Sequence, residues 1–270
     1  MNNIVYIYGN DKRQYYIAEM LNEYGYTTID VPLSDYDELS ADYTTAEIPD
    51  KEILLLPVPA SKEIINSIIP FVHSGTYILS GSLPEDFTRL CSLEHAHIFN
   101  YMKLPAVAIK NAVATAEGAV CEAIKASPYN LQGSKSLVIG YGKCGSVLCN
   151  KLNALNADVS VLTRSESGKT LAEAYGYNLF NNNYSDFDFI FNTAPALVIT
   201  KDVINLLKPE CVIIDIASAP GGTDFEYCKE KGITALLCPG LPARYSPKTS
   251  AKIIFDECIR FLESITPKRE

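Results

Sequence analysis

Short apolar runs alternate along this chain with longer stretches whose apolar residues recur at every third or fourth position. That pattern predicts strands alternating with helices, and so a parallel α/β architecture. In the first half, residues 4–8 read as a strand ending at Gly9, and residues 11–24 as a helix with Tyr15, Ala18 and Leu21 on one face. Further strands are expected at 26–31, 53–56 and 77–79, and helices at 62–69 and 85–92. Residues 106–127 are expected to turn helical near Thr115, as N-cap, with Glu117 in the first turn. The stretch "SPYNLQGSK" (127–135) interrupts the pattern, and a second series of strands follows at 136–140, 159–163, 187–191, 212–216 and 235–237. An amphipathic helix over about 248–264 closes the chain, with Ile253, Ile254, Cys258 and Phe261 on one face. That face is expected to bury against the first half. The reading is therefore two doubly wound parallel-sheet domains: residues 1–127 plus 247–270, and residues 128–246, the second a Rossmann nucleotide-binding domain.

Composition adds limits. The chain has 270 residues, enough for two sizeable cores, and its 47% hydrophobic and 20% charged residues are those of an ordinary globular protein. A formal net charge of −9 argues against nucleic acid or an anionic membrane surface as partner. The opening "MNNIVYIYGNDKRQ" lacks the basic and apolar regions of a signal peptide, and the apolar run 53–60 is too short to span a bilayer. The eight cysteines form no CxxC pair and read as free, mostly buried thiols in a reducing cytoplasm. His95 and His97 have a metal-like spacing without accompanying ligands, so no metal is expected.

The candidate chemistry centres on "SLVIGYGKCG" (136–145), where Gly140, Gly142 and Gly145 follow a strand-like run and open a helix-like one carrying Val147, Leu148, Leu152 and Leu155. In that context the glycines predict a dinucleotide cradle: Gly140 for the tight turn, Gly142 for close approach of the pyrophosphate, Gly145 for helix–strand packing. The helix N-terminus at Lys143 and Cys144 offers N–H groups to the phosphates. At the end of the next strand, where an NAD site usually places an acid, the chain reads Thr163, Arg164 and Ser165. An Arg with two hydroxyls holds a 2′-phosphate, each charge-assisted bond contributing about 1.5–3 kcal/mol. NADP is therefore expected in preference to NAD. Asn192, Thr193 and Pro195 after one later strand, and Ala217 after the next, are the expected further cofactor contacts.

Several stretches carry a resemblance. "YGNDKRQ" (8–14), "LPVPAS" (56–61), "NAVATAEGA" (111–119), "FNTAPALV" (191–198), "IDIASAPGGTDF" (214–225) and "CPGLPARYSPKTSAKI" (238–253) resemble the dipicolinate synthase A-chain family, in order and across nearly the whole chain. "ARYS" (243–246) departs from the more apolar family pattern, which gives Arg244 no support. The resemblance implies a dehydrogenase that oxidises a cyclic dihydrodipicolinate-type dicarboxylate to pyridine-2,6-dicarboxylate during spore formation. It also implies a cytoplasmic location in the mother cell, a homo-oligomer, and a flavoprotein-like partner, the B chain of dipicolinate synthase.

A dicarboxylate substrate needs cations or a dense set of donors. The candidates are Arg13, Ser61, Thr115, Lys248 and Thr249, with Ser80 as a further donor, and the catalytic candidates are Lys248, Glu117 and Asn192. Each has a plainer reading: Lys248 as a solvated first-turn lysine, Arg13 as an exposed helix residue, Glu117 as an acid favouring a helix N-terminus. Two other functions stay open. A 2-hydroxyacid dehydrogenase would share the architecture, but all three histidines precede the glycine loop, where such an enzyme needs a late His. A non-catalytic NADP-binding subunit would need no acid/base pair.

Overall fold

The computed structural model describes residues 4–9, 11–31 and 52–265; Asn10 of the "YGNDKRQ" stretch lies outside them. These residues form two compact units, one running to Ala108 and resuming at Ser246, the other Ile109–Tyr245.

The first unit is built on β1 (Ile4–Tyr8), α1 (Lys12–Tyr24), β2 (Thr27–Val31), β3 (Glu52–Leu55), α2 (Lys62–Ile68), β4 (Thr76–Ser80), α3 (Glu85–Leu93) and β5 (His97–Asn100). Its sheet has the order β2-β1-β3-β4-β5, all parallel. Successive strand residues face opposite sides, so Ile53 and Leu55 join one core while Leu54 and Leu56 join the other. Helix α1 covers the first face and α2 and α3 the second. Within β5, His97 stacks on Tyr77 at 4.6 Å.

Helix α4 (Pro105–Ala126) begins ten residues earlier than the sequence predicts, starting at a proline in place of a capping side chain. Its alanines favour helix throughout, so Thr115 lies in mid-helix and caps nothing. This also moves the domain boundary from 127 to within α4. Ala116, Ala119 and Ala123 are buried in the core of the second unit, and that packing carries the helix with it.

The second unit continues with β6 (Lys135–Ile139), α5 (Lys143–Ala154), β7 (Asp158–Leu162), α6 (Glu166–Ala174), β8 (Asn178–Leu179), β9 (Phe189–Asn192), α7 (Lys201–Ile204), β10 (Val212–Asp215), α8 (Phe225–Lys231), β11 (Thr234–Leu237) and α9 (Leu241–Tyr245). The parallel sheet runs β11-β10-β9-β6-β7-β8. Val138, Phe189, Phe191 and Ile214 face α4 and α5, while Leu137, Ile139, Ile190 and Ile213 face α7 and α8. The chain order reverses between β6 and β9, the position at which doubly wound sheets bind nucleotides.

Helix α10 (Pro247–Ile265) belongs to the first unit and packs beside α1. Its Ile254, Cys258 and Leu262 are buried with Ile17 and Leu21, and Phe99 stacks on Phe261 at 4.4 Å. Among the described residues no helix is long and apolar enough to cross a membrane, and all eight cysteines are free thiols, six of them buried.

Candidate functional site: a nucleotide-binding turn

The turn between β6 and α5 has the geometry the glycines predict. Gly140 sits at φ +93°, a conformation that disfavours side chains. A Cβ on Gly145 would stand 2.0 Å from the Gly140 carbonyl oxygen, so only glycine lets the helix start this close to the strand. Gly142 is the extended N-cap of α5; no side chain caps that helix, and a Cβ there would meet nothing within 4 Å. An uncapped helix N-terminus facing open space fits a pyrophosphate, which the first-turn N–H groups and the helix dipole would hold.

The groups around the turn are held in defined states. Tyr141 packs edge-on to Tyr177 at 6.1 Å, and burial pushes its phenol up to about 12, leaving it neutral. Burial raises the Cys144 thiol above its ordinary value while the Lys143 charge opposes this, so Cys144 stays protonated and lines the turn without reacting. Lys143 is exposed.

The end of β7 is fastened beside this turn, with the Gly140 N–H donating to the Leu162 carbonyl at 2.8 Å. Arg164 follows, exposed and with no ion pair among the described residues. The two hydroxyls expected to join it have local duties. Ser165 caps α6 by accepting from the Gly168 N–H at 3.2 Å and shares a 2.7 Å contact with Ser167, while Thr163 Oγ1 accepts from the Ser165 N–H at 3.4 Å. Arg164 is therefore the free group of the three.

In the loop after β9, the polar groups expected to reach the cofactor are engaged within the protein. Asn192 is fully buried; its Nδ2 donates to Ala194 O at 3.0 Å and its Oδ1 accepts from Ala194 N at 3.1 Å, so its polar atoms close a turn. Buried and bonded in this way, it is placed as a turn-closing residue and not as the catalytic group expected. Thr193 donates from both its N–H and its Oγ1 to the Ile139 carbonyl at 2.9 Å, fastening the loop to the glycine turn. Pro195 is exposed. Ala217 is buried and its N–H is taken by Asp215 Oδ1 at 3.0 Å, so it offers no donor to a ligand. Sequence reasoning missed Asp215 itself. Its signal was an acid in the last position of a buried apolar strand, followed by the glycine-rich "SAPGGT".

The expected substrate residues do not form one cluster. Arg13 is buried, bonded to the Asp11 carboxylate and donating to Val58 O at 3.1 Å, which makes it a fastener of α1 and no free cation. Ser61 is the N-cap of α2, accepting from the Ile64 N–H at 3.3 Å. Ser80 is buried, donating to Gly81 O at 3.0 Å. Thr115 donates to Asn111 O at 2.9 Å, one turn back along α4. Glu117 is an exposed mid-helix acid paired with Lys151 at 2.8 Å, a surface ion pair in place of a general base. Lys248 and Thr249 remain exposed in the first turn of α10, with the Lys248 ammonium 5.8 Å from the Tyr16 ring centroid. They line a groove of about 620 Å³ together with Lys252, Glu19 and Glu23, so acids and lysines balance there.

Comparison with known proteins agrees with the turn. Residues 107–220 match the family described as the NAD-binding domain of D-isomer specific 2-hydroxyacid dehydrogenases, a span that begins within α4 and covers most of the second unit. Fold and glycine turn thus define a two-domain α/β protein of oxidoreductase type with a nicotinamide-nucleotide-binding half. Within that class, the chain is related along nearly its whole length to the A chain of dipicolinate synthase. It is 28% identical over 286 residues to the A chain from Bacillus subtilis (strain 168), covering 96% of this chain and 95% of the relative. The crystal structure of the dipicolinate synthase A chain from Bacillus halodurans superposes with a TM-score of 0.83 at 26% identity, over 98% of each chain. That of the Bacillus subtilis A chain superposes at 0.81 and 25% identity, over 100% of this chain and 98% of that one.

Proposed function

We propose that this chain is the NADP-dependent dehydrogenase component of a dipicolinate synthase, oxidising a cyclic dihydrodipicolinate-type dicarboxylate to pyridine-2,6-dicarboxylate. The observation that carries the cofactor is Arg164, exposed and without an ion pair among the described residues, beside the glycine turn where an acid would select NAD. The observation that carries the substrate is the full-length relation to dipicolinate synthase A chains. In the overall reaction the ring loses two hydrogens, one as a hydride and one as a proton released to solvent, and aromatisation drives the change. A nicotinamide nucleotide bound at the turn supplies the hydride acceptor.

The chain's own part is binding and orientation. The α5 N-terminus and Gly142 receive the pyrophosphate, Arg164 the 2′-phosphate, and the wall after β9 borders the half beyond. For the substrate, Lys248 and Thr249 are the expected residues left with free polar groups, and a carboxylate partner at Lys248 is the proposal that follows. The relation to dipicolinate synthase A chains implies a flavoprotein-like B chain as partner, assembly into an oligomer, and work in the cytoplasm of a spore-forming mother cell.

The test generates the lysine-pathway aldol product in situ, adds NADP⁺, and follows dipicolinate and NADPH with this chain alone and with the flavoprotein-like partner. Equal formation of both products supports the reading. NADPH formation without dipicolinate points to another substrate, and no turnover under either condition leaves only a nucleotide-binding component.

A further inference from the structure

The two loops that follow β9 and β10 are tied together by one buried side chain. Asp215 is fully buried and pairs with no cation among the described residues. Its carboxyl group accepts three bonds: from Ala217 N–H at 3.0 Å on Oδ1, and from Gly222 N–H and Thr223 Oγ1, both at 2.8 Å, on Oδ2. Three donors from the segment after β10 thus converge on one acidic side chain that has no counter-charge, which fixes the path of that loop.

Gly222 is the point at which the loops meet. A Cβ there would stand 2.4 Å from Ala196 O, 2.6 Å from Asn192 Nδ2 and 2.8 Å from Ala194 O. Its carbonyl accepts from the N–H groups of Val198 and Ile199, each at 2.9 Å. At its other end the first loop is fastened to the glycine turn by Thr193. An unbroken series of contacts therefore runs from Asp215 through Gly222 and residues 192–196 to Gly140. Pro195, Ala196 and Leu197 stand exposed on this wall, an apolar edge suited to a flat ring.

We infer that Asp215 is a positioning residue for the nicotinamide half of the cofactor. It holds Gly222, and through Gly222 the wall of residues 194–197, at a fixed height beside the switch point. The adenosine half lies on the opposite side, toward β7 and Arg164, as the crossing of a dinucleotide over the strand reversal requires. The inference rests on reading this unit as the NADP site. It assigns Asp215 an effect on one half of the ligand only.

The experiment measures two ligands on the full chain: NADPH, by its fluorescence shift on binding, and adenosine 2′,5′-bisphosphate, which lacks the nicotinamide half, by calorimetry. Asp215→Asn is expected to weaken NADPH at least about tenfold, the scale of one lost hydrogen bond, while leaving adenosine 2′,5′-bisphosphate within about twofold. Thr223→Val removes one of the three bonds and is expected to give a smaller loss, again confined to NADPH. It keeps the test decisive if Asp215→Asn does not fold. Unchanged binding of both ligands, or equal weakening of both in a folded variant, overturns the inference. Wild-type protein that binds neither ligand overturns the cofactor reading and the inference with it.

Discussion

Asp11 and Arg13, two residues apart, close a reciprocal pair at the start of α1: Asp11 accepts the Arg13 backbone N–H at 2.9 Å, and Arg13 Nε returns to both oxygens of the same carboxylate at 3.0 and 3.1 Å. One side chain caps the helix and the other neutralises the cap, with side-chain exposures of 13% and 8%. Arg13 also reaches Val58 O, which ties the helix start to the segment after β3.

Arg13→Ala is therefore expected to act on stability. Leaving the half-buried Asp11 charge without its partner costs about 1.5–3 kcal/mol, read as a lower urea midpoint. Arg13→Lys is expected to restore little, because an ammonium lacks the fork that reaches the carboxylate and Val58 O together. An unchanged midpoint in Arg13→Ala would show that the pair contributes nothing.

Arg164→Ala is expected to weaken NADPH binding by about ten- to a hundredfold, the value of one charge-assisted bond, and to leave NADH binding nearly unchanged. Titration of both cofactors against both proteins decides this. Equal losses, or a wild-type preference for NADH, remove Arg164 from the role of 2′-phosphate partner.

The three glycines of the turn separate by mechanism. Gly142→Val introduces a side chain into open space at an ordinary φ, so the variant should lose nucleotide binding while its melting temperature falls by only a few degrees, the cost of a poor N-cap residue. Gly145→Ala places a methyl group 2.0 Å from the Gly140 carbonyl oxygen, so it should lower the melting temperature further. Thermal melts with and without NADPH distinguish the two, and a Gly142→Val protein that still binds would refute the placement of the pyrophosphate.

Glu52 gives the fold a pH dependence. Burial raises its carboxyl above the ordinary 4.5, and His73, whose Nε2 lies 3.7 Å away and so beyond hydrogen-bond reach, opposes this only in part. A folded-state value above the unfolded one means that the contribution is present in full below 4.5 and is lost as pH rises through the raised value. Melting temperatures of wild type and Glu52→Gln should therefore diverge as pH climbs above 4.5, with Gln the more stable at neutral pH. Parallel curves would show that Glu52 titrates as in the unfolded chain.

Much of this fold was legible because buried strands are bounded by sharp breaks. The expected run 4–8 matches β1, and the glycine spacing located the β6–α5 turn. Where the reading missed, the cause was a polar residue at the end of an element. Ser61, Ser165 and Asn192 are each suited both to hold a ligand and to close the chain on itself, and only their neighbours in space choose between the two. Arg13 reads in the sequence as a possible cation for the substrate, because nothing in the spacing shows that Asp11, two residues back, takes up its guanidinium. Helix α4 opens at a proline and needs no capping side chain, so its first ten residues carry no start signal in the sequence.

The return of α10 to the first unit has a consequence for how the protein is made. The second unit is one unbroken stretch of chain and is complete once Tyr245 has left the ribosome. The first unit, although synthesised first, lacks one side of its core until Ile254, Cys258 and Leu262 arrive. The residues of its β1–β5 sheet are made before the other unit, and the helix that packs beside α1 is made after it. The half whose synthesis starts earlier can complete its core only once the other half is whole.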